Sequence, residues 1–176
     1  PILCRVIHTT ADFSYRDTLT ITDGAIEKAK EAIRRGLPII TDTTMAASGI
    51  NKTAAGKFGI EVHCFIGDED VKAKAKESGM TRSAVSVEKA AGCYPECIYA
   101  VGNAPTALMR LYELIEEKKI RPALIIGVPV GFVNVVEAKE LVLRTDVPAI
   151  VARGRKGGSN IAAAICNALL YEAGGR

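Results

Sequence analysis

Residues 97–108 read Cys-Ile-Tyr-Ala-Val-Gly-Asn-Ala-Pro-Thr-Ala-Leu, and this stretch indicates the fold class more clearly than any other. Its first five residues form a short, mostly apolar run that predicts a buried strand, which Gly102 ends. Asn103 and Pro105 stand where the cap and the first-turn proline of a helix belong. A buried strand that leads directly into an amphipathic helix is the building unit of parallel α/β sheets. The helix stripe consists of Leu108, Leu111, Tyr112 and Ile115.

The same unit recurs in both directions along the chain. Asp23 and Asn134 are expected to cap two of the other helices. The last helix, 161–172, is apolar nearly all round, which indicates a place in the interior or at a subunit contact. Residues 1–176 are therefore predicted to form a single domain, a three-layer α/β/α fold with a central, mostly parallel sheet of about five strands. The predicted strands are 37–41, 61–66, 97–101, 123–128 and 148–152.

Composition narrows the class of protein. Of the 176 residues, 48% are hydrophobic and only 5% aromatic, so the core is expected to consist of Ala, Val, Ile and Leu. The formal net charge of +3 is too small to suggest a nucleic-acid partner, and it suits a small anionic substrate. No apolar run approaches the roughly 20 residues of a membrane span, so no membrane partner is expected.

The five cysteines indicate reduced thiols rather than a metal site. Cys93 and Cys97 form one spaced pair, but no second pair follows to complete a zinc site. An odd, scattered set of thiols is typical of a cytoplasmic protein, which is the location we expect. No metal is predicted.

Four loops are expected to meet at one edge of the sheet, because right-handed crossovers place all strand-to-helix loops at the carboxyl edge. Each loop combines small residues with hydroxyl or amide groups and a helix N-terminus, which favours a ligand bearing several carboxylates. A broad cleft is the prediction, although Gly, Pro and Asn in any single loop are equally well explained as turn residues. The loops are 41–49, 102–106, 127–134 and 153–160.

No cofactor is predicted. Residues 154–158 lack the spacing and the terminal Lys-Ser/Thr of a phosphate-binding loop, and no G-x-G-x-x-G follows the first strand. No G-x-S-x-G elbow is present either, and no Cys or Ser has an evident His partner.

The histidines and three of the arginines can each be explained either by a structural role or by a role in function. His63 lies in a strand-like run and is expected to pack or to form a hydrogen bond. His8 stands at a polar junction after a short apolar stretch, where a histidine can donate a proton near neutral pH. Arg82, Arg153 and Arg155 can pair with carboxylates, but surface arginines are commonly only solvated.

Taken together, the motifs of this chain are similar to those of the precorrin-8X methylmutase family. The similarity runs in order from about Arg5 to Tyr171, and the Ile-His-Thr-Thr and Thr-Asp-Thr-Thr-Met forms resemble the anaerobic branch, whose substrate is cobalt-precorrin-8. Family members carry a further N-terminal segment, which this chain is expected to lack. The matching motifs are 6–13, 41–45 with 48–52, 81–84, 102–108, 127–133 and 154–160.

The resemblance implies a homodimeric isomerase of cobalamin biosynthesis that uses no cofactor. The implied reaction moves a methyl group from ring carbon 11 to ring carbon 12 of precorrin-8X or cobalt-precorrin-8, which yields hydrogenobyrinate or cobyrinate. The family's catalytic proton donor falls on His8. The residues expected to contact the corrinoid polycarboxylate are Thr9, Thr10, Asp42, Thr43, Thr44, Met45, Ser48, Gly49, Arg82, Ser83, Gly102, Asn103, Ala104, Thr106, Gly131, Phe132 and Gly157.

Two alternatives remain at the level of the sequence. A non-catalytic corrinoid-binding carrier or sensor would use the same cleft. A methyltransferase of the same fold class would need a donor-binding glycine motif after the first strand, and Asp42-Thr-Thr-Met45 is a poor match to one.

Overall fold

A six-stranded sheet divides the molecule into two helical layers. The computed structural model describes residues 1–175. The strands lie in the order β1-β6-β5-β4-β2-β3, and all neighbours are parallel except β1 and β6. The prediction of a mostly parallel sheet in a three-layer fold is confirmed, with six strands rather than about five. The strands are β1 (Leu19–Ile21), β2 (Ile39–Thr41), β3 (Val62–His63), β4 (Ile98–Val101), β5 (Leu124–Gly127) and β6 (Ala149–Ala152).

Ten helices within residues 1–175 accompany the sheet. Helices α1, α3, α4, α5 and α10 cover one face, and α7, α8 and α9 cover the other, while α6 packs on α7. Alternate strand residues serve the two cores, because neighbouring side chains point to opposite faces of a strand. The helices are α1 (Ile2–Thr10), α2 (Tyr15–Thr18), α3 (Ala25–Arg34), α4 (Thr44–Gly49), α5 (Lys52–Gly56), α6 (Glu69–Ser78), α7 (Arg82–Cys93), α8 (Pro105–Glu116), α9 (Val135–Leu143) and α10 (Ser159–Ala173).

Strand β1 is the element that the sequence pattern missed. It is half-buried and pairs antiparallel with β6, so that Leu19 lies opposite Ala152. Three residues are too few to show a periodic pattern. The strand exists because β6, near the other end of the chain, offers a free edge.

The opening segment is a helix rather than a polar junction. Ile2 and Val6 of α1 are buried, and the helix packs against α10. It ends at Ala11, which adopts a left-handed conformation (φ 53°) and donates its N–H to Ile7 O at 2.7 Å. His8 therefore lies in the last turn of a helix.

Helix α10 lies in the interior, which is one of the two places expected for it. It packs against α1, α3 and α4 on its outer sides and against β4 and β5 of the sheet. Its apolar surface is thus covered within one chain. Among residues 1–175, no helix combines the length and apolar composition that crossing a membrane requires.

Gly102 supplies a test of this packing, because it lies against the first turn of α10. A Cβ on Gly102 would be 2.6 Å from Ser159 Cα. We expect Gly102→Ala to lower the free energy of unfolding by about 1–3 kcal/mol, since backbone must move to admit the methyl group. Urea unfolding followed by circular dichroism measures the loss. Gly56→Ala is the control, because nothing lies within 4 Å of a Cβ there, and equal stability of the two variants would contradict this explanation.

Candidate functional site

The loops at the carboxyl edge of the sheet contact one another directly. Gly158 N–H donates to Val128 O at 2.8 Å, which joins the loops after β5 and β6. Thr43 Oγ1 and Ser159 Oγ lie 2.8 Å apart, which joins the loop after β2 to the first turn of α10. The predicted edge is therefore present, and its small residues bring loop against loop.

Several glycines were expected to make room for the substrate. Close contacts with other parts of the protein explain why these positions hold glycine. A Cβ on Gly157 would overlap Val128 O, and Gly102 is closed in by α10 as described above. Gly49 lies against Ala163 of α10, where a Cβ would come within 2.8 Å of the alanine methyl group. Packing alone thus requires glycine at these three positions. Contact between them and a substrate stays a prediction.

Asp42 is buried among these loops and accepts three backbone hydrogen bonds. Its Oδ1 accepts the N–H of Gly102 at 2.9 Å, and its Oδ2 accepts those of Asn103 and Ala104 at 2.8 and 2.7 Å. These N–H groups lie directly before α8, and that of Ala104 belongs to its N-cap, so Asp42 occupies part of the region at which a substrate carboxylate was expected. Burial raises the pKa of the Asp42 carboxyl, while the three N–H donors oppose that rise.

Of the three helix caps expected from the sequence, two are wrong and the third, Asn134, is the N-cap of α9 as predicted. Ala104 and not Asn103 is the N-cap of α8, and Gly24 and not Asp23 is the N-cap of α3. Asn134 does precede α9, but its side chain forms no capping hydrogen bond. The side chains that do cap helices are Thr43 on α4, Asn51 on α5 and Thr81 on α7.

A pocket of about 430 Å³ opens beside Asp42, and six of its eight lining residues are among the expected substrate contacts. Arg82 is exposed there and forms no ion pair with any of residues 1–175. Thr106, another expected contact, lies next to the pocket and accepts a hydrogen bond from Thr81 Oγ1 at 2.9 Å. The lining residues are Asp42, Thr43, Thr44, Ile66, Thr81, Arg82, Ser83 and Asn103.

Sequence reasoning missed two residues of this pocket, Ile66 and Thr81. Thr81 had a usable signal, since a threonine directly before a helix is a typical N-cap, and its Oγ1 accepts the Ala84 N–H at 3.2 Å. Ile66 had none, because only the fold brings the end of the β3 segment against α7.

Large apolar side chains are exposed around the same edge. Phe132 is 83% exposed and Met45 is 68% exposed, and both were expected to contact the substrate. The Arg155 guanidinium lies 5.8 Å from the centre of the Phe132 ring. Phe13 and Val133 are also largely exposed. Met45, Phe132 and Val133 lie in segments that follow β2 and β5, so their exposed side chains are candidates for contact with a ligand at this edge. Ser48, the remaining expected contact of α4, is exposed as well.

His8 lines a different groove, which lies between α1 and α10 and has a volume of about 470 Å³. His8 is an exposed residue. Thr9 is exposed too, whereas Thr10 Oγ1 donates to Val6 O at 2.8 Å within α1. The structure thus brings the expected contacts around Arg82 together in one pocket. Within one chain, it places His8 in a separate groove. The α1–α10 groove is lined by Pro1, Cys4, Arg5, His8, Ala168, Tyr171 and Glu172.

Two lysines, one buried and one exposed, link the segment after α1 to the loop after β6. Lys139 is fully buried, and its Nζ donates to Gly154 O and Lys156 O at 2.8 Å each. Lys156 Nζ in turn donates to Asp12 Oδ2 at 2.6 Å and to Ser14 Oγ at 2.9 Å. Burial lowers the pKa of Lys139 to about 8, and the Lys156 ammonium lowers the pKa of Asp12 to about 2. The helix that bears His8 is therefore anchored beside the site loops.

The remaining candidates have structural explanations. His63 stacks on Tyr94 with ring centres 4.8 Å apart, and its Nε2 lies 3.0 Å from both Tyr94 Oη and Glu61 Oε2, as expected for a packed, hydrogen-bonded histidine. Arg153 forms a two-pronged ion pair with Glu140 at 2.8 Å. All five cysteines are free thiols, and residues 1–175 contain no cluster of side chains that could hold a metal ion.

Comparisons with known proteins find relatives over almost the whole chain. A family model described as precorrin-8X methylmutase matches residues 1–172. The cobalt-precorrin-8 methylmutase of Salmonella typhimurium is 48% identical over 97% of this chain and 80% of its own length. That of Leptospira interrogans is 44% identical over 96% of this chain and 80% of its own length. A crystal structure of precorrin-8x methyl mutase from Thermus thermophilus has a TM-score of 0.91 and 40% identity, and the match covers 99% of this chain and 85% of that one.

The Asp42 carboxylate supplies a test of how the edge is held together. We expect Asp42→Asn to lower the free energy of unfolding by about 2 kcal/mol, because one acceptor oxygen is replaced by an NH2 group that faces N–H donors. Chemical denaturation at pH 7 measures the change. Asp17→Asn is the control, since Asp17 is 69% exposed in a surface pair with Arg16 and its loss should cost under about 0.5 kcal/mol. Similar midpoints for the two variants would refute the central role of Asp42.

Proposed function

Because this chain belongs to the precorrin-8X methylmutase family and is therefore an isomerase of cobalamin biosynthesis, we propose that it moves a methyl group from ring carbon 11 to ring carbon 12 of a corrin precursor. The relatives with 48% and 44% identity are named for cobalt-precorrin-8. We take cobalt-precorrin-8 as the substrate and cobyrinate as the product, with precorrin-8X and hydrogenobyrinate as the cobalt-free counterparts.

The observation that carries this proposal is the pocket beside Asp42. It combines an unpaired guanidinium, that of Arg82, with the hydroxyl groups of Thr43, Thr44 and Ser83. Exposed apolar side chains, Phe132 among them, lie around the same edge. A flat macrocycle with a fringe of carboxylates needs both kinds of surface, since its face is apolar and its rim is anionic.

The proposed reaction needs a proton but no external methyl donor. The methyl group breaks its bond to ring carbon 11 and forms one to ring carbon 12, so no atom is gained or lost. A proton lent by His8 to a ring nitrogen draws electron density from the conjugated system during the shift, and it leaves the nitrogen when the shift is complete. General acid catalysis of this kind contributes roughly 10²–10⁴-fold, and the rest must come from holding the macrocycle in a reactive geometry.

The proposal requires one macrocycle to contact both the Arg82 pocket and the α1–α10 groove, within one chain or across the contact between two copies. We propose a cytoplasmic homodimer as the working form. Free thiols at all five cysteines agree with a reducing compartment. The exposed apolar surface at the carboxyl edge, rather than α10, is the part of the chain that a second copy could cover.

His8→Ala tests the proton donor. We expect the variant to fold and to bind corrinoid, with kcat lowered about 10²–10⁴-fold because the general acid is lost. Absorption spectroscopy follows the conversion of the precursor to the corrin chromophore and so measures the rate. If the protein were a carrier without catalytic activity, the unaltered chain would also show no conversion. His63→Gln is the matched control, and near-normal turnover by His8→Ala would remove His8 from the mechanism.

Arg82→Ala tests the carboxylate-binding role of the pocket. We expect the affinity for corrinoid to fall roughly tenfold at low ionic strength and by less at high salt, because a charge-assisted contact is lost and salt screens it. Binding titrations at two salt concentrations measure the effect. Arg34→Ala is the control, since Arg34 is equally exposed but lies on α3. An affinity unchanged at both salt concentrations would argue against contact between Arg82 and the substrate.

A further inference from the structure

The α1–α10 groove holds an acid that the proposed mechanism does not use. Cys4, Arg5 and His8 face the groove from α1, and Tyr171 and Glu172 face it from α10. On α1, Cys4 and Arg5 lie four and three residues before His8, and on α10 Tyr171 and Glu172 lie three and four residues after Ala168, so each set lies on one face of its helix. Glu172 and His8 therefore share one groove as a potential acceptor and a potential donor of a hydrogen bond.

Glu172 has an unsatisfied atom at this position. Its Oε1 is buried and has no hydrogen-bond partner among residues 1–175. A buried polar atom without a partner carries a free-energy penalty, and the penalty is larger for a charged group. Glu172 also lies in the last turn of α10, where the partial negative charge of the helix end disfavours a carboxylate. Both effects favour a positively charged donor opposite Glu172.

Within residues 1–175, none of the other side chains that line the groove donates a hydrogen bond to Glu172 Oε1. The Arg5 guanidinium lies 5.0 Å from the centre of the Tyr171 ring and forms no ion pair with Glu172. The Tyr171 hydroxyl accepts a hydrogen bond from Asn51 Nδ2 at 3.0 Å. The thiol of Cys4 is only a weak donor.

His8 is the group that fits. It is exposed, and within residues 1–175 its ring forms no hydrogen bond. It stands in the last turn of α1, where the free carbonyl groups of a helix end favour a cation. A pairing with Glu172, which lines the same groove, requires the His8 side chain to turn so that one ring nitrogen approaches Glu172 Oε1.

We propose that Glu172 is the positioning residue for His8, with Glu172 Oε1 accepting a hydrogen bond from one N–H of the imidazole. The carboxylate then fixes the orientation of the ring and favours its protonated form, so that the opposite nitrogen can donate a proton to the macrocycle. This inference rests on the proposed role of His8 as the acid.

The first test measures the pairing without substrate. Only two histidines are present, so NMR can follow both imidazole rings against pH, with His63→Gln used to assign them. If the pairing is present, Glu172→Gln should lower the midpoint of the His8 titration, because an opposite charge favours the protonated ring. Glu172→Asp, which keeps the charge on a shorter side chain, should shift the midpoint by less. Glu116→Gln, at the last turn of α8 in the other layer, should shift nothing.

The second test measures the consequence for turnover. In Glu172→Gln the alkaline limb of the kcat–pH profile should move to lower pH by the same amount, with KM for the corrin precursor changed by less than about twofold. A His8 titration that is identical in the unaltered chain and in Glu172→Gln overturns the pairing, even if His8→Ala is inactive. A fully active His8→Ala overturns the acid role itself, and with it the function assigned to Glu172, whatever the titration shows.

Discussion

The contact on which the carboxyl edge depends is the one between the Asp42 carboxylate and the three N–H groups of residues 102–104. It joins the end of β2 to the start of α8 across the sheet. Without it, three backbone donors would lose this acceptor, two of them in buried hydrogen bonds, and an unpaired buried donor costs free energy. In the proposed function, the substrate carboxylate is bound next to this contact by Arg82, which lines the adjacent pocket and forms no ion pair with any of residues 1–175.

A second set of contacts relates the proton donor to this edge. Lys139 holds the backbone of residues 154–156 from inside, and Lys156 holds Asp12 from outside. The helix that bears His8 is thereby fixed at both sides, against α10 along its length and against the loop after β6 at its end. In the proposed mechanism this matters because a general acid is useful only when its position relative to the substrate is fixed.

Local patterns in the sequence were sufficient for the main elements of the fold and insufficient for the contacts between them. The five parallel strands were predictable because each is a short apolar run, and the sheet that they form is covered on both faces. The antiparallel strand β1 was not predictable, since its three residues depend on a partner at the other end of the chain. The caps at Asp23 and Asn103 failed for a related reason: the αL glycine at Gly24 and the distant Asp42 replaced them.

By itself, the sequence determined the fold class, the family and six of the eight residues that line the Arg82 pocket, because all of these depend on short motifs whose spacing along the chain is sufficient to identify them. Only the tertiary structure decided how those motifs are used. It showed that Gly49, Gly102 and Gly157 are needed for packing, that α10 is an interior helix, and that His8 and Glu172 line a groove separate from the Arg82 pocket. Such relations join residues far apart in the chain, and a local pattern holds no information about which distant atoms will fill the space beside it.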